Sequence, residues 1–227
     1  MIKTVGIIQP GRIGDIIIVL PIAAYYHDRG YTVYWPVPAR YLPMFDCVDY
    51  VIPLRMPDIS SAPIPYWMAM YRSWNMGVST ILDVGIGFGH RESWWRESGM
   101  RFDEWKYQQA GVPYSERFNL RILRNRERED QLARKVGVYG RKGYVVTHSI
   151  GSGFRHDFGI RDAIEVRAIY GHTVWDWIGV IERADHLYAI DSCVANMANQ
   201  LGLAIGRRTF KSWEDHPSPQ AKLAVEW

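Results

Sequence analysis

Cysteine is nearly absent from this chain. Cys47 and Cys193 are the only two in 227 residues, too few for a disulfide framework or a cysteine-ligated zinc site and in keeping with a reducing compartment. Neither sign of charge dominates. The 27 Lys and Arg against 24 Asp and Glu leave a net +3, which argues against a strongly basic nucleic-acid binder but leaves room for a local basic patch. Long hydrophobic runs are missing too. The run Ile16 to Ala24 is broken by Pro21 and falls short of the ~20 residues that a membrane span needs. The opening MIKTVGIIQPGRIGD has no apolar h-region and no small-residue cleavage site, so a cytoplasmic location without a membrane span is expected. Neither H-E-x-x-H nor D-x-D occurs, and the seven histidines are scattered; no metal and no cofactor are expected.

Aromatic side chains are plentiful: 10 Trp, 14 Tyr and 7 Phe. At this density they serve cores, and also clefts where flat ligands or sugar rings stack. Apolar residues at 48% and charged residues at 22% match a globular chain and exclude wholesale disorder.

Hydrophobic periodicity predicts strand, helix, strand at the start. Lys3 to Ile8 reads as a buried strand, and Gln9-Pro10-Gly11 as a turn. A helix beginning near Asp15 is closed by Gly30, and Tyr31 to Trp35 is a second strand. This βαβ spacing implies a parallel sheet. Further strands are expected at Val48 to Ile52 and Ser79 to Val84, with a loop at Pro53 to Pro65 and a helix at Tyr66 to Met76. The segment His90 to Arg96 leaves the carboxyl end of the Ser79–Val84 strand, the edge where open α/β sheets bind ligands. Helices are expected at Phe102 to Ala110 and at Arg124 to Val136, the latter so charged that it reads as a solvated connector. A second set follows: strands at Tyr144 to His148, Ile164 to Tyr170 and His186 to Ile190, and helices at Val174 to Arg183 and Asp191 to Leu201. The organisation expected is an α/β chain with a Rossmann-like domain at 1–125, a connecting helix at 126–141 and a shorter domain at 142–227.

Three turns could carry chemistry. Gly11-Arg12-Ile13-Gly14-Asp15 lies between strand and helix, where a helix amino end attracts anions or sets a carboxylate over a cleft; the plainer reading of Asp15 is a helix cap. It is neither G-x-G-x-x-G nor a Walker A loop. Asp191-Ser192-Cys193 occupies a similar turn, where Ser192 and backbone N–H groups suit a phosphate and Asp191 suits a cap. Cys193 reads as a small buried side chain rather than a nucleophile. The third, Ser149 to Arg155, offers close backbone approach together with Ser149, Ser152 and Arg155 as phosphate partners.

Gly14-Asp15 followed by Pro21-Ile22-Ala23-Ala24, and the stretch Ala184-Asp185 through Asp191-Ser192-Cys193 to Leu201-Gly202, resemble two signature segments of the heptosyltransferase-like (family 9) glycosyltransferases. The resemblance implies a GT-B fold, with two Rossmann-like domains facing across a cleft, the second one abbreviated here. It implies an inverting, metal-independent transfer from a nucleotide-diphosphate sugar to an acceptor hydroxyl, with Asp15 as general base. Ser149, Ser152, Arg155, Asp191, Ser192 and Cys193 would hold the donor phosphates and Glu182 its nucleoside. Arg12, His90, Arg91, Trp94 and Trp95 would lie on the acceptor side. The chain departs from the family at Ser192-Cys193, which stand for Thr-Gly, and at Asn196, which stands for His. The expected acceptor is a saccharide. The alternatives are DNA carrying hydroxylated bases, for which Trp94, Trp95, Arg91 and Arg96 are suited, a nucleotide-sugar binder without turnover, and an unrelated α/β enzyme.

Overall fold

The run KTVGII forms β1 (Lys3–Ile8), buried from Val5 onward. The computed structural model of the protein describes residues 3–59, 64–85, 91–151 and 154–211. The chain divides into two compact units, 1–123 and 124–227.

In the first unit β1 lies parallel to β2 (Tyr31–Pro38), with Val5 opposite Val33, and to β4 (Thr80–Asp83), with Ile7 opposite Leu82. With β3 (Ile52–Met56) on the far side of β2, the sheet order is β3-β2-β1-β4. Helix α1 (Ile13–His27) buries every residue from Ile16 to Ala24, and Gly30 follows it with φ +80°, a left-handed conformation that favours glycine. Helix α2 (Ile64–Asn75) turns Ala69 and Ser73 inward. It packs so close to β1 that a Cβ at Gly6 would stand 2.8 Å from Ser73 Oγ. Helices α3 (Arg91–Ser98) and α4 (Phe102–Gln109) complete the unit. Tyr107 of α4 donates its hydroxyl to the Ile18 carbonyl of α1 at 3.0 Å.

The third strand is displaced from its expected position. Val48, Tyr50 and Val51 are buried, but the strand pairing runs from Ile52 to Met56. Pro53 is accommodated because β3 is an edge strand, where a missing N–H costs no ladder bond. A 3-10 segment, Ala39–Cys47, precedes it.

In the second unit a parallel sheet has the order β10-β9-β5-β8, built from β5 (Val145–His148), β8 (Ile164–Glu165), β9 (His186–Ile190) and β10 (Arg208–Lys211). A short antiparallel pair, β6 (Ile150–Gly151) with β7 (Phe154–Arg155), follows β5. Helices α5 (Arg126–Lys135), α6 (Ile178–Arg183) and α7 (Cys193–Gln200) complete it. Helix α5, expected as a connector, belongs to this unit. Its Leu132 and Ala133 are buried, and Arg128 binds Asp176 through two contacts of 3.0 and 2.8 Å. The Val174–Arg183 stretch splits into a 3-10 turn with a Thr173/Asp176 capping box, then α6. The strand expected over Ile164 to Tyr170 is only two residues long. Both units are thus α/β layers around parallel sheets, and no helix among the described residues is long and apolar enough to cross a membrane.

The Gly6–Ser73 contact yields a test of the packing. Gly6→Val forces α2 off the sheet and should destabilise the first unit by about 2 kcal/mol, read as a lower urea midpoint.

Candidate functional site

The order β3-β2-β1-β4 places consecutive strands on one side of β1 and β4 on the other. The carboxyl ends of β1 and β4 therefore flank a topological switch point, where doubly wound sheets open a crevice. Gln9 follows β1 and is buried, its carbonyl accepting from Trp35 Nε1 at 2.9 Å. Its side-chain Oε1 accepts from Lys106 Nζ at 2.7 Å. Lys106 comes from α4, has no exposure, and also donates to the Val84 carbonyl at 2.9 Å. Its counter-ion is Asp15, whose Oδ1 lies 3.5 Å from Nζ. Burial pushes the lysine's pKa down and Asp15 opposes that shift.

Asp15 therefore does not cap its helix. Arg12 occupies the N-cap position, is exposed, and makes no side-chain capping bond. Asp15 stands in the first turn facing the ammonium, and its side chain keeps 19% exposure. Beside it Asp83 ends β4. Arg91 binds Asp83 Oδ2 through Nε at 3.0 Å and the Asp83 carbonyl through Nη1 at 2.8 Å. Burial raises the Asp83 carboxyl pKa against the pull of Arg91. The ring of Tyr66 covers the turn after β4, where a Cβ at Gly85 would run into it.

Of the acceptor-side residues expected from the sequence, Arg91 is thus engaged by Asp83. Trp95 donates to the Met100 carbonyl at 3.0 Å and packs edge-on against Phe102, whereas Trp94 is exposed. His90 lies outside the described residues. Neither Lys106 nor Gln9 is among the candidates that the sequence offers. For Lys106 a signal existed: it sits four residues after Phe102, on one helix face, between Trp105 and Tyr107, an unusual setting for a solvated lysine.

In the second unit the switch point falls between β5 and β9. His148 ends β5, and its Nδ1 shares a hydrogen bond of 2.8 Å with Oγ of Ser192, the N-cap of α7. Both side chains are buried, and burial pushes the His148 pKa down to about 4. Cys193, also buried, opens α7. Asp191 is exposed and its backbone N–H donates to the Lys211 carbonyl at 2.8 Å; the cap of α7 is Ser192, whose Oγ accepts from Ala195 N.

Ser149 and Arg155 line a cavity of about 260 Å³ with Thr147, His156, Asp157, Asp162 and Glu165 among its other walls. Glu165 is anchored there, accepting from Thr147 Oγ1 at 2.6 Å, Ser149 N at 2.7 Å and Ser149 Oγ at 2.8 Å. With three carboxylates and one guanidinium among its lining residues, the cavity suits hydroxyl groups better than a diphosphate. Ser152 lies outside the described residues. Glu182 does not line this cavity. Its carboxylate binds Arg124 through two contacts of 2.8 Å and Arg126 at 3.3 Å, and these arginines hold its pKa down. Among the described residues no group of three or more His, Cys, Asp or Glu is placed to hold a metal ion.

Two measurements follow. Lys106→Met leaves Gln9 Oε1 and the Val84 carbonyl without their donor and Asp15 without its counter-ion, so the first unit should lose about 3 kcal/mol, measured by urea unfolding with hydrogen exchange to assign the unit. The His148 effect depends on pH. The unfolded imidazole titrates near 6.5 and the folded one near 4, so between these values the unfolded chain binds more protons. Stability of the second unit should fall as pH drops through that window, by about 3 kcal/mol in all, and level off below it. His148→Gln should flatten that dependence in pH-resolved unfolding curves.

Compared with protein-family models, with curated proteins and with solved structures, the chain finds no match in any of the three.

Proposed function

We propose that this protein is an inverting, GT-B-type glycosyltransferase that moves a sugar from a nucleotide-diphosphate donor to a saccharide hydroxyl. The observation that carries this reading is the carboxylate of Asp15. It stands at the switch point of the first sheet, one oxygen is held by a buried ammonium, and the side chain is still open to solvent.

In the proposed reaction the first unit takes the acceptor. Asp15 removes the proton of the attacking hydroxyl as the new bond to the anomeric carbon forms, and the bond from that carbon to the diphosphate oxygen breaks on the opposite face. A positioned carboxylate contributes about 10²–10⁴-fold to such a step. The second unit takes the donor. Backbone N–H groups at the start of α7 stabilise the leaving diphosphate. The hydroxyl-favouring cavity beside Ser149 and Glu165 suits the ribose or the sugar rather than the phosphates. Glu182, tied to Arg124 and Arg126, is left out of this scheme.

One observation favours a second reading, a nucleotide-sugar binder without turnover. As the counter-ion of Lys106, Asp15 already has a structural task that requires no chemistry.

The experiment is a screen of UDP-, GDP-, ADP- and CDP-sugars by thermal shift, followed by nucleotide release in the presence of saccharide acceptors. Turnover is expected with one donor, and Asp15→Asn should lower kcat by about 10²-fold or more while the donor still raises the melting temperature. Donor binding with no turnover on any acceptor selects the binder. Turnover that survives Asp15→Asn removes Asp15 as the base.

A further inference from the structure

Helix α2 buries one apolar face and leaves a second largely exposed. Tyr66, Ala69 and Met70 pack with Ile8 and Met56, and Ser73 is buried against Gly6. The other face carries Ile64, Trp67, Tyr71 and Trp74, which are 44%, 57%, 64% and 68% exposed, with Met76 just beyond the helix end at 46%. Their spacing of three, four and three residues is that of a coiled-coil seam, so the four side chains form one straight stripe.

We infer that this stripe is a homodimer interface, α2 of one chain packing on α2 of a second copy about a twofold axis. Three features carry the inference. The first is area. With about 150–250 Å² for each large aromatic side chain, the five residues leave on the order of 600 Å² exposed, at the upper limit of the largest patch on a typical monomer. Together with a rim, that approaches the ~800 Å² per partner of a standard interface. The second is composition. Trp, Tyr, Met and Arg are the residues enriched at protein interfaces and their hot spots; here the only charge on α2 is Arg72, beside the stripe. One cation is too few for an anionic membrane or a nucleic-acid backbone, which reward clusters of Lys and Arg. The third is self-complementarity. An isologous pair crossing near Tyr71 sets Trp67 of one chain against Trp74 of the other and Tyr71 against its own counterpart, filling both stripes without burying a charge.

Sedimentation velocity on the full chain, from low to high micromolar, tests this. The wild type should show a monomer–dimer equilibrium, and Tyr71→Glu with Trp74→Glu should weaken the dimer about tenfold or more with far-UV circular dichroism unchanged. Trp74→Ser, which adds no charge, should weaken it in the same direction and covers the case in which the double variant fails to fold. A wild type that stays monomeric throughout overturns the inference, as does a dimer indifferent to Trp74→Ser. So does a monomer that floats with phosphatidylcholine vesicles, which would make the stripe a membrane contact. None of these results depends on whether the chain transfers sugar.

Discussion

An ammonium group with no access to water must find its partners within the protein, and in the first unit that need orders the whole carboxyl edge of the sheet. Lys106 reaches from α4 to Gln9 after β1, to the Val84 carbonyl after β4 and to Asp15 in α1. The ends of β1 and β4 and the first turn of α1 are thereby tied to α4 at one point. Desolvating such a charge costs several kcal/mol, recovered only if every partner is in place. The edge is therefore rigid for the same reason that it is charged. In the proposed reaction this holds the Asp15 oxygen in place before substrate arrives.

The second unit solves a similar problem without a buried cation at its edge. His148 is held neutral by burial and bonds Ser192, which in turn caps α7. Charge is moved to the opposite side, where Arg124 joins Glu129 and Glu182 and Arg128 joins Asp176. Glu129 is almost fully buried under that network, and a Cβ at Gly179 would run into its carboxylate. These ion pairs hold α5 to α6. They explain why so polar a helix as REREDQLARK belongs to the core of a unit rather than linking two.

Much of the fold was legible because its signals are local. The β-branched runs at Lys3–Ile8 and His186–Ile190 and the apolar stripe of α7 announce themselves within a few residues. What was hidden depends on partners distant in sequence. Strand β10 reads RTFK, a polar segment that is a strand only because β9 offers an edge; its basic residues are the kind that guard such edges. Strand β3 begins after, not at, the buried run Val48–Val51, since pairing with β2 and not hydrophobicity sets its register. In the site, Asp15 was visible from its turn, but the residue that holds it lies ninety-one positions later. Gln9 and Asp83 looked like ordinary strand ends. Arg91 and Glu182, attractive as ligand groups when read singly, prove to be paired with neighbours that no spacing rule would supply.

The ionic character of the two edges is what gives the functional reading its direction. At the first edge the buried side chain of Lys106 sits behind the partly exposed carboxylate of Asp15. At the second, Glu165 is held by Thr147 and Ser149, and with Asp157 and Asp162 it lines a cavity whose carboxylates outnumber its one guanidinium, which disfavours extra negative charge. In the proposed reaction the donor's hydroxyls take this cavity and its phosphates lie outside it. A nucleotide sugar divides in this way. A nucleic-acid backbone, with a negative charge at every step, does not, and this weighs the acceptor and donor assignments toward sugar chemistry.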